Sequence, residues 1–202
     1  MDIHNPELLE KVRKYALEAE KKSRYEHSVR VAQTAAFLCR QFGLDEQKGY
    51  FAGLAHDLCK EMNEDLLVSL SSHDGMPFLD EELKKPSLLH GRAAAVKLAQ
   101  DFGVEDKDVL QAVALHTLGG ENMSDLAKII YIADKVEPGR PQSTEKYREK
   151  LFALSLNRMC LKVLEENMEY LKKKGKTIAP SSFVLKKALL ASIENEENSK
   201  NN

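Results

Sequence analysis

Apolar residues recur at three- and four-residue intervals along almost the whole chain, and no run alternates β-branched with polar residues for long enough to make a strand. A sequence with that period buries stripes on helices, so the fold class it permits is all-α. Asn5 and Pro6 supply the cap and first turn of a helix carrying Leu8, Leu9, Val12, Tyr15 and Ala19, and a second helix runs from about Arg24 to near Gly43. Asp45 caps a third through Ala52, Ala55 and Leu58, and Asn63 caps a short fourth with Leu66, Leu67 and Leu70. Gly75, Pro77 and Pro86 mark a loop. Helices follow at 88–102, closed by Gly103, and at 106–118, closed by Gly119 and Gly120. Ser124 begins another that the "EPGRP" stretch stops, a long helix spans roughly 143–174, and a last one runs from about Ser181 to Ile193.

That makes a bundle of about eight or nine helices in a single domain over 1–194, with a polar, disordered tail at 195–202. A chain of 202 residues buries enough apolar surface to need no metal or disulfide merely to hold together. Cys39, Cys59 and Cys160 stand far apart with no Cys-x-x-Cys pair, which excludes a disulfide framework and a thiolate zinc site and points to a reducing cytoplasm. The net charge of −2 leaves no broad basic surface for nucleic acid. The charged N-terminus and the lack of a long apolar run leave no signal peptide and no membrane span, so the expectation is a cytoplasmic protein. The C-terminal helices at 143–194 either pack on the bundle or mediate self-association as a homodimer.

Several polar residues fall on stripes that should face the core. His27 shares its stripe with Val31, Thr34 and Leu38, and His116 completes that of Val109, Ala112 and Val113. Asp134 follows Ile130 by one turn, and His90 opens its helix beside small residues that let another element come close. His56 and Asp57 stand side by side in the apolar "FAGLAHDLCKE", with Lys60 one turn on. Buried imidazoles and carboxylates lose hydration that partners or a metal must replace. An imidazole and carboxylate set without thiolates suits iron, manganese or zinc with open positions, whereas calcium or magnesium calls for oxygen ligands. On a helix the side chains of His56 and Asp57 diverge by about 100°, so His56 can serve one cation while Asp57 bridges to a second. His4, His73 and Cys59 carry no such pattern, and Cys59 reads as packing.

The stretches "YEHSVRVAQTA", "LAHDLCK" and "YIADKVEPGR" resemble the ordered His, His-Asp and Asp motifs of the HD-domain metal-dependent phosphohydrolases. "RYEH", "LLHG", "LHTLGG" and "IADKVEPGR" look like the YqeK branch, the symmetrical bis(5′-nucleosyl)-tetraphosphatases, over a motif core at 24–140 and more weakly into "GKTIAPSSF". No "GYP" element of the cyclic-dinucleotide phosphodiesterases follows. By that resemblance His27, His56, Asp57 and Asp134 hold a principal metal, usually iron, with manganese or another divalent transition metal as substitutes. Asp57, His90 and His116 line a second metal position or contact phosphate.

The implied reaction is symmetrical hydrolysis of diadenosine tetraphosphate to two ADP, by attack of a metal-activated water on a central phosphate. Asp57, Lys60, His90 and His116 would carry catalysis, and Arg24, Lys60, His90, His116, Thr117 and Arg140 would touch substrate. The alternatives are an HD nucleoside mono- or triphosphate phosphohydrolase and a catalytically silent nucleotide-binding HD module.

Overall fold

The computed structural model describes residues 2–200, and among them no strand occurs. Eleven α-helices follow one another: α1 (Pro6–Ala19), α2 (Lys22–Gln41), α3 (Glu46–Ala55), α4 (Glu64–Ser71), α5 (Asp80–Lys84), α6 (His90–Phe102), α7 (Lys107–Leu115), α8 (Asp125–Val136), α9 (Glu145–Phe152), α10 (Leu156–Lys173) and α11 (Pro180–Lys200). Two 3-10 turns, Ser72–Asp74 and Pro86–Leu89, flank α5.

The caps read from sequence act as such. Asn5 accepts from the Glu7 amide, Asp45 from Gln47 and Lys48, Asn63 from Leu66 and Ser124 from Ala127, so each side chain replaces a helical partner that the first turn lacks. Gly103 ends α6 at φ 66°, a left-handed conformation that costs glycine little.

One buried apolar cluster runs through the bundle, from Leu8 and Val12 on α1, through Leu38 on α2 and Ile130 on α8, to Leu185 on α11. Fully burying one such leucine contributes about 1.5–3 kcal/mol. Backbones approach closely where glycine allows it. A Cβ added at Gly53 would lie 2.7 Å from Ala32 Cα, which locks α3 against α2, and one at Gly91 would lie 2.9 Å from the Val113 and Ala114 carbonyls, which draws α6 onto α7.

The structure corrects several boundaries. The expected helix at 143–174 is two, α9 and α10, because Ser155 restarts the chain in extended backbone. The stretch at 80–84, read as loop, makes the short α5. The expected disordered tail continues α11 to Lys200, held by Ser155 and Asn157 donating to Glu196 and by an ion pair between Arg158 and Glu197. Asn201 and Asn202 lie outside the described residues.

Candidate metal centre

Four histidines and two aspartates converge from five places in the fold. His27 comes from the middle of α2, His90 from the first residue of α6, and Asp134 from the last turn of α8. His56 and His116 are the residues that close α3 and α7. The expected helical placement of His56, Asp57 and Lys60 is therefore corrected: α3 stops at Ala55, and these three occupy the tight turn after it, where the Lys60 amide donates to Asp57 O. The turn still faces inward, leaving His56 fully buried and Asp57 2 % exposed.

Each imidazole has one nitrogen committed to an acceptor. His56 Nδ1 donates to Gly53 O at 2.7 Å, His116 Nδ1 to Val113 O at 2.7 Å, and His90 Nδ1 to Ser87 O at 2.8 Å. His27 Nδ1 donates to Glu137 Oε1 at 3.0 Å, and that carboxylate is gripped by Arg30 Nε at 2.6 Å and by the Gly139 amide. Those bonds turn all four Nε2 atoms inward, the arrangement by which metal-ligating histidines are oriented.

These nitrogens gather in two sets that share Asp57. In one, His27 Nε2 lies 3.1 Å from Asp134 Oδ1, and His56 Nε2 lies 3.7 Å from that oxygen and 3.5 Å from Asp57 Oδ2. In the other, His90 Nε2 lies 3.1 Å from Asp57 Oδ1 and 3.0 Å from His116 Nε2. The potential ligand atoms of His27, His56 and Asp57 lie within 4.8 Å of one another, as do those of Asp57, His90 and His116. His56 Nε2 is buried and accepts no hydrogen bond. Imidazole nitrogens and carboxylate oxygens crowded at these distances, with one buried nitrogen lacking any partner, fit a site built around cations.

The electrostatics lead to the same conclusion. Burial disfavours charge on both carboxyl groups, yet Asp57 is held well below the usual range by the His56 charge and by the His116, His56 and His90 rings beside it. Asp134 is held low against burial by the Lys135 charge and by the His27 and His56 rings beside it. Burial would lower His56, but Asp57 and Asp134 lift it to about 10, so the carboxylate-rich set draws a positive charge to that nitrogen even without metal. Burial pushes His116 down to about 4, with the His56 and His90 charges adding to the effect, and keeps it neutral.

A family model described as HD domain matches residues 24–139. The chain belongs to the HD domain family. Its relatives include the symmetrical bis(5′-nucleosyl)-tetraphosphatase of Halalkalibacterium halodurans, 36% identical over 83% of this chain and 89% of that protein. The protein of the same name from Bacillus subtilis is 32% identical over 80% of this chain and 86% of its own length. A crystal structure described as a predicted HD superfamily hydrolase involved in NAD metabolism, from Clostridium acetobutylicum, superposes with a TM-score of 0.83 at 31% identity, covering 91% of this chain and 97% of that one.

The remaining residues singled out from the HD motifs surround this centre. Arg24 Nη1 donates to Asp57 Oδ2 at 2.9 Å and Arg140 Nη2 to Asp134 Oδ1 at 2.7 Å, so both guanidinium groups rest on carboxylates of the cluster. Lys60 Nζ lies 3.1 Å from His90 Nε2, and burial lowers its pKa. The Thr117 hydroxyl lies 3.2 Å from both His90 and His116 Nε2. His4 and His73 stay outside, bonded to Gln47 and to the Ser69 carbonyl. Cys59 is fully buried and its thiol is raised to about 12 by that burial, which makes it inert. Sequence reasoning missed Glu137 as the orienter of His27, although the residue stands inside the quoted "ADKVEPGR"; an acid directly before a Pro-Gly turn, three residues after a candidate ligand, was the available signal.

Proposed function

We propose that this protein is a metal-dependent hydrolase that cleaves diadenosine tetraphosphate symmetrically into two ADP. The observation that carries the proposal is the pair of ligand sets joined at Asp57, ringed by Arg24, Lys60 and Arg140, in a chain whose relatives over most of its length bear the name of that activity.

His27, His56, Asp57 and Asp134 would hold the principal metal and Asp57, His90 and His116 the second. A donor set of imidazoles and carboxylates without thiolate suits iron, with manganese as the nearest substitute. A metal bound there would lower the pKa of a water and neutralise charge on phosphate oxygens. The protein's own groups do the rest. Arg24 and Arg140 each pair with a ligand carboxylate, and a polyphosphate entering the cluster offers them a bidentate partner of higher charge. Lys60 presents a point charge on the His90 side, and the Thr117 hydroxyl donates to a phosphate oxygen between His90 and His116. His116 is held neutral by its burial.

We also infer a cytoplasmic location. Cys39, Cys59 and Cys160 are free and buried, and among the described residues no helix is long and apolar enough to cross a membrane. Chromatography of the reaction with diadenosine tetraphosphate tests the central reading. ADP as the sole nucleotide product is expected; ATP with AMP, or no turnover by metal-loaded protein, would overturn it.

A further inference from the structure

A cavity of about 960 Å³ opens beside Asp134, at the upper end of the ~300–1,000 Å³ that small-molecule sites occupy. One side of its wall belongs to the end of α8 and the turn after it, where Lys135 and Arg140 stand next to the cluster carboxylate. The facing side comes from α9 and α10 and is of another character, contributed by Tyr147, Glu166, Asn167 and Tyr170. Cations on one side and aromatic and amide groups on the other make a polar gradient that a phosphate chain alone has no use for.

The second side is already organised. The Tyr147 hydroxyl donates to Glu166 Oε2 at 2.5 Å, and Lys162 Nζ pairs with Glu166 Oε1 at 2.9 Å. Asn167 stands beside the buried Tyr131. Tyr170 is 54% exposed, so its ring has area left to be covered. Glu166 repels a phosphate and accepts from an exocyclic amino group. An asparagine amide offers a donor and an acceptor side by side, matching the edge of a base, and an aromatic ring offers a face to stack on.

We propose that this cavity seats one nucleoside arm of the substrate, with its phosphates at Lys135 and Arg140 and its base against Tyr170, Tyr147 and Asn167. The assignment rests on the hydrolase reading above and adds the residues that would distinguish a nucleotide from a bare polyphosphate. Tyr147, Glu166, Asn167 and Tyr170 make no hydrogen bond or ion pair with the residues of the metal cluster, so their effect should fall on binding and spare the metal.

Titration calorimetry of the metal-loaded protein with ADP and with inorganic pyrophosphate tests it. Tyr170→Ala and Asn167→Leu should each weaken ADP about tenfold while leaving pyrophosphate within about twofold, and Tyr170→Phe should bind ADP like the parent. Tyr170 is largely at the surface, so its truncation spares the core. Unchanged ADP affinity in both truncations, equal losses for ADP and pyrophosphate, or a parent protein that binds ADP no tighter than pyrophosphate would overturn the subsite. These isotherms need no turnover. A failed product assay therefore sinks the hydrolase reading without deciding the subsite, and unchanged isotherms sink the subsite while an ADP-only product pattern stands.

Discussion

The two ligand sets that meet at Asp57 differ in charge. The set of His27, His56, Asp57 and Asp134 brings two carboxylates and lifts His56 to about 10; the set of Asp57, His90 and His116 borrows one carboxylate, leaves His116 near 4 and stands beside Lys60. The first already draws in a positive charge without metal. The second does not, and its cation must compete with the Lys60 ammonium 3.1 Å from His90 Nε2. Cation affinity should therefore be graded, tight in the first set and weaker in the second, with the weaker position next to Lys60 and Thr117.

The largest expected effect comes from removing the group both sets share. Asp57→Ala should abolish binding at both positions and lower kcat by about 10⁴-fold or more, since Lewis-acid assistance goes with the metal. Retained turnover after metal stripping would break the account. Next, the halves should separate under mutation. Asp134→Ala should lose the tight ion, whereas His116→Ala should keep it and lose only the weak one; metal analysis that shows equal losses would erase the difference between the sets. Glu137→Gln removes the charge that orients His27 while keeping its shape, so the tight site should weaken about 10–100-fold and the weak site should not.

Stability effects are smaller. Gly91→Ala places a Cβ 2.9 Å from two carbonyls of α7 and 3.0 Å from His116 Cε1, and should cost about 1–3 kcal/mol, read as a lowered Tm, while disturbing the His116 side alone. Glu20, buried behind the first set, is raised to about 7 chiefly by burial against an ordinary value of 4.5. Between those values the folded protein holds a proton that the unfolded chain has released, so its contribution is fully present below pH 4.5 and is lost as pH rises through 7. Denaturation midpoints between pH 5 and 7 should fall with pH, and Glu20→Gln should flatten that slope.

What was legible in the sequence is what local chemistry decides. Asn5, Asp45, Asn63 and Ser124 cap helices because their partners lie two or three residues away, and the inward period of His27 and Asp134 follows from helix geometry. Where the outcome depended on distant partners, the sequence was silent. The tail at 195–199 is helical because Glu196 meets Asn157, 39 residues back, and Glu137 orients His27 across 110 residues. The end of α3 at Ala55 was hidden for a different reason: the turn that follows carries no glycine or proline, and His56 itself closes it by bonding Gly53 O. Nor did any local cluster announce the aromatic wall of the cavity, since Tyr147 and Tyr170 come from different helices.

The central claim is that one carboxylate, Asp57, joins two metal positions. Manganese(II) titrated into metal-free protein and followed by electron paramagnetic resonance tests it directly, because ions held a few ångströms apart by a shared carboxylate couple their spins. An isolated-ion spectrum at low loading should give way to a coupled one as the second position fills, and Asp57→Ala should show neither. An isolated-ion spectrum that persists to saturation of the parent protein would contradict the claim.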